Sequence, residues 1–277
     1  MPANLYALGA IVLWATLASL SVSLTHLPPF LLTGIALLIG SVPAWPLCRQ
    51  WKIAPLTLVL GIYGLFGFHF LLFIALGHAP PVEANLVNYL WPLFMVLLAP
   101  LFLPGVALRA VHVLAALLGF AGAALAILGG PASADSTLGG WAWGYLPALG
   151  SAFIWASYSL LTKRVPAFPT AAVGLFGLVS GALSLLCHWA LEAPVTVSGR
   201  DWLLLTVMGL GPLGGAFYLW DKALKLGDAR QIGILSYLTP LGSTALLVAI
   251  SGSALTWGIG LATMLIVGAA VLGTRAR

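Results

Sequence analysis

Ten apolar runs, each about as long as a helix must be to cross a bilayer, follow one another along this chain with only short connections. They cover residues 4–25, 30–48, 55–77, 82–103, 108–129, 140–163, 169–190, 201–223, 229–250 and 254–274. A helix needs about 20 apolar residues to span the hydrocarbon core. Inside hydrocarbon its backbone polar groups must bond within the segment. The spacing therefore predicts an all-α membrane protein of ten transmembrane helices with no room for a soluble domain. The runs are continuous rather than alternating, which excludes a β-barrel. Composition decides one further point. Only 6% of the 277 residues are charged and mean hydropathy is +1.09, whereas a soluble domain carries about 25% charged residues. A cytosolic enzyme, a nucleic-acid binder and a disordered chain are excluded. The pI near 9.5 comes from scattered Lys and Arg, not from a basic stripe. The first run has no basic segment before it and exceeds a signal-peptide core, so cleavage is not expected.

The charges also predict orientation. With the loops alternating from the amino terminus, one side collects Arg49, Lys52, Arg109, Lys163, Arg164, Lys222, Lys225, Arg230, Arg275 and Arg277. The other collects Arg200 alone. Positive loops face the cytoplasm, so both termini are expected inside, in the inner membrane of a bacterium. An extra or missing span would scramble this division. Cys48 and Cys187 then lie near opposite faces, where they form neither a disulfide nor a metal-ligand set. No cofactor, metal or catalytic group is expected.

Residues 61–93 slide onto 209–241 without a gap and share Gly61/Gly209, Leu65/Leu213, Gly67/Gly215, Leu71/Leu219, Ala75/Ala223, Leu76/Leu224 and a Tyr-Leu-x-Pro-Leu block at 89–93 and 237–241. LGAIVLWAT at 8–16 lies over LGSAFIWAS at 149–157, aligning Trp14 with Trp155, and Gly-Ala-Ala recurs at 122–124 and 268–270. The chain thus reads as two five-helix repeats, 1–133 and 134–277. Five is odd, so the second repeat enters from the opposite side. Paired halves of opposite orientation are a transporter architecture, able to expose a midplane site to each side in turn.

On these motifs the chain resembles the drug/metabolite transporter superfamily, in its EamA-type branch. The Trp-rich character and the segment NLVNYLWPLF at 85–94 are similar to the aromatic amino-acid exporters of the YddG type. The resemblance implies a cavity lined by spans one, three, four, six, eight and nine, braced by five and ten. It also implies outward transport of aromatic amino acids.

Matched prolines point to the site. Pro92 and Pro240 fall mid-span, and each withholds an N–H from the carbonyl four residues earlier, those of Asn88 and Ser236. Asn85, Asn88, Tyr89 and Pro92 share one helical face, and Ser236, Tyr237 and Pro240 share the matching one. Both faces are read as cavity lining; the alternative is hydrogen bonding between packed helices. Trp14, Trp91 and Trp155 lie near mid-depth and are read as aromatic lining, against plain core packing. Trp45, Trp51, Trp141, Trp143, Trp189, Trp202 and Trp257 sit near span ends and form an interfacial belt. Trp220 fits either group. His69, the one histidine deep in a span, is read as a substrate contact, with a structural hydrogen bond or a proton carrier as alternatives. Gly214 and Gly215, beside Gly211 and Pro212, suggest a hinge.

No Asp or Glu lies near the middle of any span. Asp221, beside Lys222 near a span end, reads as part of a local ion pair. Small multidrug exporters of the superfamily carry a first-span glutamate, and this chain has none. Aromatic faces and neutral hydrogen-bonding groups suit a small uncharged or zwitterionic amphiphile. The expectation is an exporter of small amphiphilic metabolites, aromatic amino acids first, working by alternating access and functional as a monomer in the lipid bilayer. Another neutral or zwitterionic solute or drug on the same fold is the alternative. A membrane-embedded enzyme and a structural protein are remoter ones.

Overall fold

The structure, a computed structural model, describes residues 2–128, 142–251 and 257–275. They form α1 Pro2–Val22, α2 Pro29–Trp51, α3 Pro55–His78, α4 Pro81–Phe102, α5 Ala110–Leu128, α6 Tyr145–Leu161, α7 Ala172–Leu191, α8 Gly199–Leu226, α9 Ala229–Ala249 and α10 Trp257–Arg275. Among the described residues, nine of these helices are long and apolar enough to cross a membrane. The exception, α6, has 17 residues, at the lower limit for a crossing helix. Trp141, Arg277, the first residues of the expected spans 140–163 and 254–274, and the boundary between the expected repeats lie outside the described residues.

Local sequence explains where the helices begin. Pro29, Pro55 and Pro81 open theirs at a position where a missing N–H loses nothing. The first N–H groups of α2, at Phe30 and Leu31, donate to the Glu192 carboxylate at 2.9 and 3.2 Å. Helix α8 starts with a capping box. The Asp201 N–H donates to Ser198 Oγ, and the Asp201 carboxylate accepts from the Ser198 N–H.

Two helices carry a π turn, α3 at Tyr63–Gly67 and α8 at Gly211–Gly215. Among the described residues three are interrupted: α1 at Thr16, α4 at Tyr89 and Leu90, and α9 at Ser236 and Tyr237. The breaks in α4 and α9 lie just before Pro92 and Pro240, as the prolines dictate.

Packing is close at several of the glycines. A Cβ on Gly64 would stand 2.3 Å from the Tyr158 ring, and one on Gly214 would stand 2.7 Å from Gly40 Cα. Helix α1 packs against α8 and α9, and α6 packs against α3 and α4. Helix α2 lies along α7, α4 meets α9, and α5 lies along α10. The lipid-facing surface shows Trp45, Trp143, Trp189, Trp202 and Trp257, all exposed. Trp51 is half-buried and donates to the Ala171 carbonyl at 2.9 Å. Both cysteines are free.

The bundle has two chemically different ends. At one, Lys163 Nζ donates to the Gly227 carbonyl, Arg230 pairs with Asp228 and reaches the Ala107 carbonyl, and Lys222 lies over the Tyr6 ring. At the other, His26 meets Asp201, His188 meets Glu192, and Tyr145 donates to Glu83.

Candidate substrate cavity

A cavity of about 350 Å³ opens between the helices. Its floor is a cluster of rings. Trp14 meets Trp155 at 5.8 Å between centroids and Trp220 at 5.2 Å. Trp91 meets Trp155 at 6.3 Å and Trp220 at 5.5 Å, and Phe217 meets Trp14 at 6.1 Å. Edge-on and tilted pairs at these distances are favourable. The cluster also uses its N–H groups. Trp14 Nε1 donates to the Pro212 carbonyl at 3.1 Å, inside the π turn of α8, and Trp220 Nε1 donates to Ser159 Oγ at 3.1 Å.

From that floor the cavity runs toward the end that holds His26 and Glu192. Ser21 near the end of α1, Leu32 near the start of α2, Leu76 near the end of α3 and Asn85 near the start of α4 line its walls. On the opposite side the floor is sealed. Asp221, 2% exposed, accepts from Lys225 Nζ and Thr170 Oγ1, each at 2.6 Å. Lys225 Nζ in turn lies 3.9 Å from the centre of the Phe168 ring.

Of the residues read as substrate-binding, Trp14, His69, Asn85, Asn88, Tyr89, Trp91 and Trp155 all line this cavity. Ser236 and Tyr237 do not. The Ser236 hydroxyl donates to the carbonyl of Gly233 in its own helix. The Tyr237 ring packs over Gly119 and against Ala123 and Ile266, among α5 and α10. Past the break, α9 offers Thr239 and Ser243 to the cavity instead. The Ser236 carbonyl is not free either, since it accepts the Thr239 N–H at 2.9 Å. Pro92 and Pro240 are buried beside the breaks and are not among the lining residues. Gly214 and Gly215 end the π turn of α8. Gly214 is pressed against Gly40, and Gly215 lies beside the Leu210 carbonyl and Leu13.

Several lining residues escaped the sequence reading. Helix α2 adds Leu32 and Thr33 to the walls, and Ser21, Phe68, Phe73 and Phe217 also face the cavity. Isolated Ser, Thr and Phe in apolar runs carry no signal that separates lining from packing. Phe217 alone was traceable, because the repeat places it over His69. The two rings lie 6.3 Å apart.

The polar groups of the lining are all neutral in type: Ser21, Thr33, His69, Asn85, Asn88, Tyr89, Thr239 and Ser243. His69 Nδ1 lies 2.6 Å from the Leu65 carbonyl. A carbonyl only accepts, so Nδ1 carries a proton; in the neutral imidazole Nε2 is then an acceptor. Asn88, 6% exposed, is held by Ser151, whose hydroxyl donates to Asn88 Oδ1 at 2.8 Å.

A helical membrane bundle with a solute-sized chamber, open toward one end and plugged toward the other, defines a transporter. The chain belongs to the EamA-like transporter family, whose model matches residues 1–128 and 142–275. It is 43% identical to a protein of Ancylobacter novellus named aromatic amino acid exporter YddG, over 98% of this chain and 96% of that one. It is 27% identical to the Escherichia coli protein of the same name, again over 98% and 96%. A crystal structure at 42% identity matches with a TM-score of 0.89 over 99% of this chain and 97% of that chain.

Proposed function

We propose that this transporter exports aromatic amino acids across the inner membrane of a bacterium by alternating access. The observation that carries the reading is the cavity itself. Its volume lies near the lower end of the roughly 300–1,000 Å³ range of small-molecule sites. It offers Trp14, Trp91, Trp155 and Phe217 to a flat ring, and uncharged donors and acceptors to a zwitterionic head. The relatives named as aromatic amino acid exporters support the choice of solute. Trp14, His69, Asn85, Asn88, Tyr89, Trp91 and Trp155 would bind it, with Pro92, Pro240, Gly214 and Gly215 at the points where helices bend.

The mechanism would rest on two inverted five-helix repeats, 1–133 and 134–277, making ten spans with α6 as the sixth. Three observations support this. The π turns at Tyr63–Gly67 and Gly211–Gly215 stand at the offset of the internal sequence match. The breaks in α4 and α9 agree with that offset to within one residue. The contacts exchange as a two-fold operation requires: α1 with α8 and α9, α6 with α3 and α4. The end rich in Lys and Arg would be cytoplasmic and would hold both termini. The cavity is then open outward, and Trp220, Ser159, Asp221 and Thr170 close the inner side. A single chain contains the whole chamber, so it would work as a monomer.

The test is exchange of labelled L-tryptophan by the purified protein in liposomes, with phenylalanine, tyrosine, a nucleobase and a sugar as competitors. Competition by the aromatic amino acids alone is the expected result. Exchange that the nucleobase or sugar inhibits better would replace the solute, and no exchange of any of them would end the reading.

A further inference from the structure

Ser151 is wholly buried on α6 and is not part of the cavity wall. It nonetheless reaches the wall through Asn88. Its hydroxyl lies 2.8 Å from Asn88 Oδ1 and 2.8 Å from the Ala148 carbonyl, sharing its proton between two acceptors. An amide whose oxygen is so engaged is fixed in orientation. Asn88 lines the cavity, and no protein group among the described residues takes its Nδ2. Asn88 then presents N–H donors and His69 Nε2 presents a lone pair.

Ordinary interhelical bonding does not account for the pair. The repeat places Ala10 over Ser151 and Ser236 over Asn88. At that second position Ser236 bonds only within its own turn. The equivalent contact of α1 with α9 is therefore made without any such bond, so packing alone does not require one. The polar tie exists only where its far end faces the chamber.

We infer that Ser151 is a positioning residue for solute selection: by holding Asn88 Oδ1 it turns the amide donors into the cavity, where they receive the solute carboxylate, while His69 Nε2 receives the ammonium. The inference rests on the reading of the cavity as a site for aromatic amino acids. A carboxylate gains from N–H donors held in place, and a hydrogen bond to a charged group contributes about 1.5–3 kcal/mol, roughly tenfold or more in affinity.

The experiment is inhibition of labelled L-tryptophan exchange in liposomes by L-tryptophan, by tryptamine, which lacks the carboxylate, and by indole-3-propionate, which lacks the ammonium. In the wild type, tryptophan is expected to outcompete tryptamine. Ser151→Ala is expected to shrink that preference about tenfold, and Ser151→Thr, which keeps the hydroxyl, to restore it. Asn88→Asp keeps an acceptor for Ser151 but removes the donors, so tryptamine should become the better competitor while indole-3-propionate weakens. A purely structural Ser151 would change the amount of active protein without moving any ratio. An unchanged tryptophan-to-tryptamine ratio in Ser151→Ala overturns the inference while leaving the solute reading intact. So does an Asn88→Asp protein that still prefers tryptophan, and this variant decides the matter if Ser151→Ala fails to fold. A wild type that does not exchange tryptophan removes the solute reading, and this inference falls with it.

Discussion

Trp14 and Trp155, which the internal repeat superposes, meet edge to face with centroids 5.8 Å apart at the floor of the cavity. One residue from each half thus builds the same surface. Trp155 is the hub, lying within 5.3–6.3 Å of the rings of Trp14, Phe68, Trp91, Tyr158, Phe217 and Trp220. Trp155→Ala should remove about 3–5 kcal/mol of stability, read as a lower melting temperature in detergent. Trp155→Phe keeps part of the ring contact and should remain folded, with apparent affinity for tryptophan weakened roughly tenfold for about 1.5 kcal/mol of lost aromatic contact.

The different placements of Asn88 and Ser236 give a paired comparison. Asn88→Ala should raise the KM for tryptophan exchange by about tenfold, because a cavity donor is lost. Ser236→Ala should leave KM where it is, because that hydroxyl serves its own helix. A KM that moves in Ser236→Ala and not in Asn88→Ala would reverse the assignment of the lining.

Glycine packing provides a test of the bundle that is independent of transport. Gly64→Ala drives a methyl into the Tyr158 ring and should destabilise by about 1–3 kcal/mol. Gly77→Ala has open space around its Cβ and should be neutral or slightly stabilising. Thermal unfolding of the two variants side by side reads the difference.

On the proposed orientation, the buried Asp221 and its bonds from Lys225 and Thr170 would hold the inner closure. Asp221→Asn weakens both and should shift the protein toward the inward-open form. Against a background lacking Cys48 and Cys187, a Ser159→Cys probe should then react at least severalfold faster with a membrane-impermeant thiol reagent supplied from the cytoplasmic side. Equal labelling rates with and without Asp221→Asn would show that this tie does not hold the gate.

His69 separates two modes of energy coupling. Its Nδ1 donates to the Leu65 carbonyl, and on the proposed reading Nε2 would accept a solute N–H. His69→Gln should weaken tryptophan binding and leave the response of flux to an imposed pH gradient unchanged. Loss of that response in the variant would make His69 the proton carrier.

The membrane class, the approximate bounds of the helices, the internal match and the tryptophans that line the cavity were legible in the sequence. Each is a property of residue type and spacing along one helix. Hydrocarbon tolerates long apolar runs only as helices, and a proline in mid-helix denies its N–H to the carbonyl four residues earlier. Which way a broken helix faces is not such a property. The sequence match superposes Tyr89 and Tyr237, yet Tyr89 lines the cavity and Tyr237 lies over Gly119. The break comes one residue earlier in α9 than in α4, and one residue is about 100° of helical rotation. Ser151 shows the same limit: a serine in an apolar run acquires a role only when packing brings α6 within hydrogen-bond reach of Asn88. Pattern along the chain determined that these helices exist and where they bend. Only their packing decided which side chains share a chamber, because that depends on contacts between residues far apart in sequence.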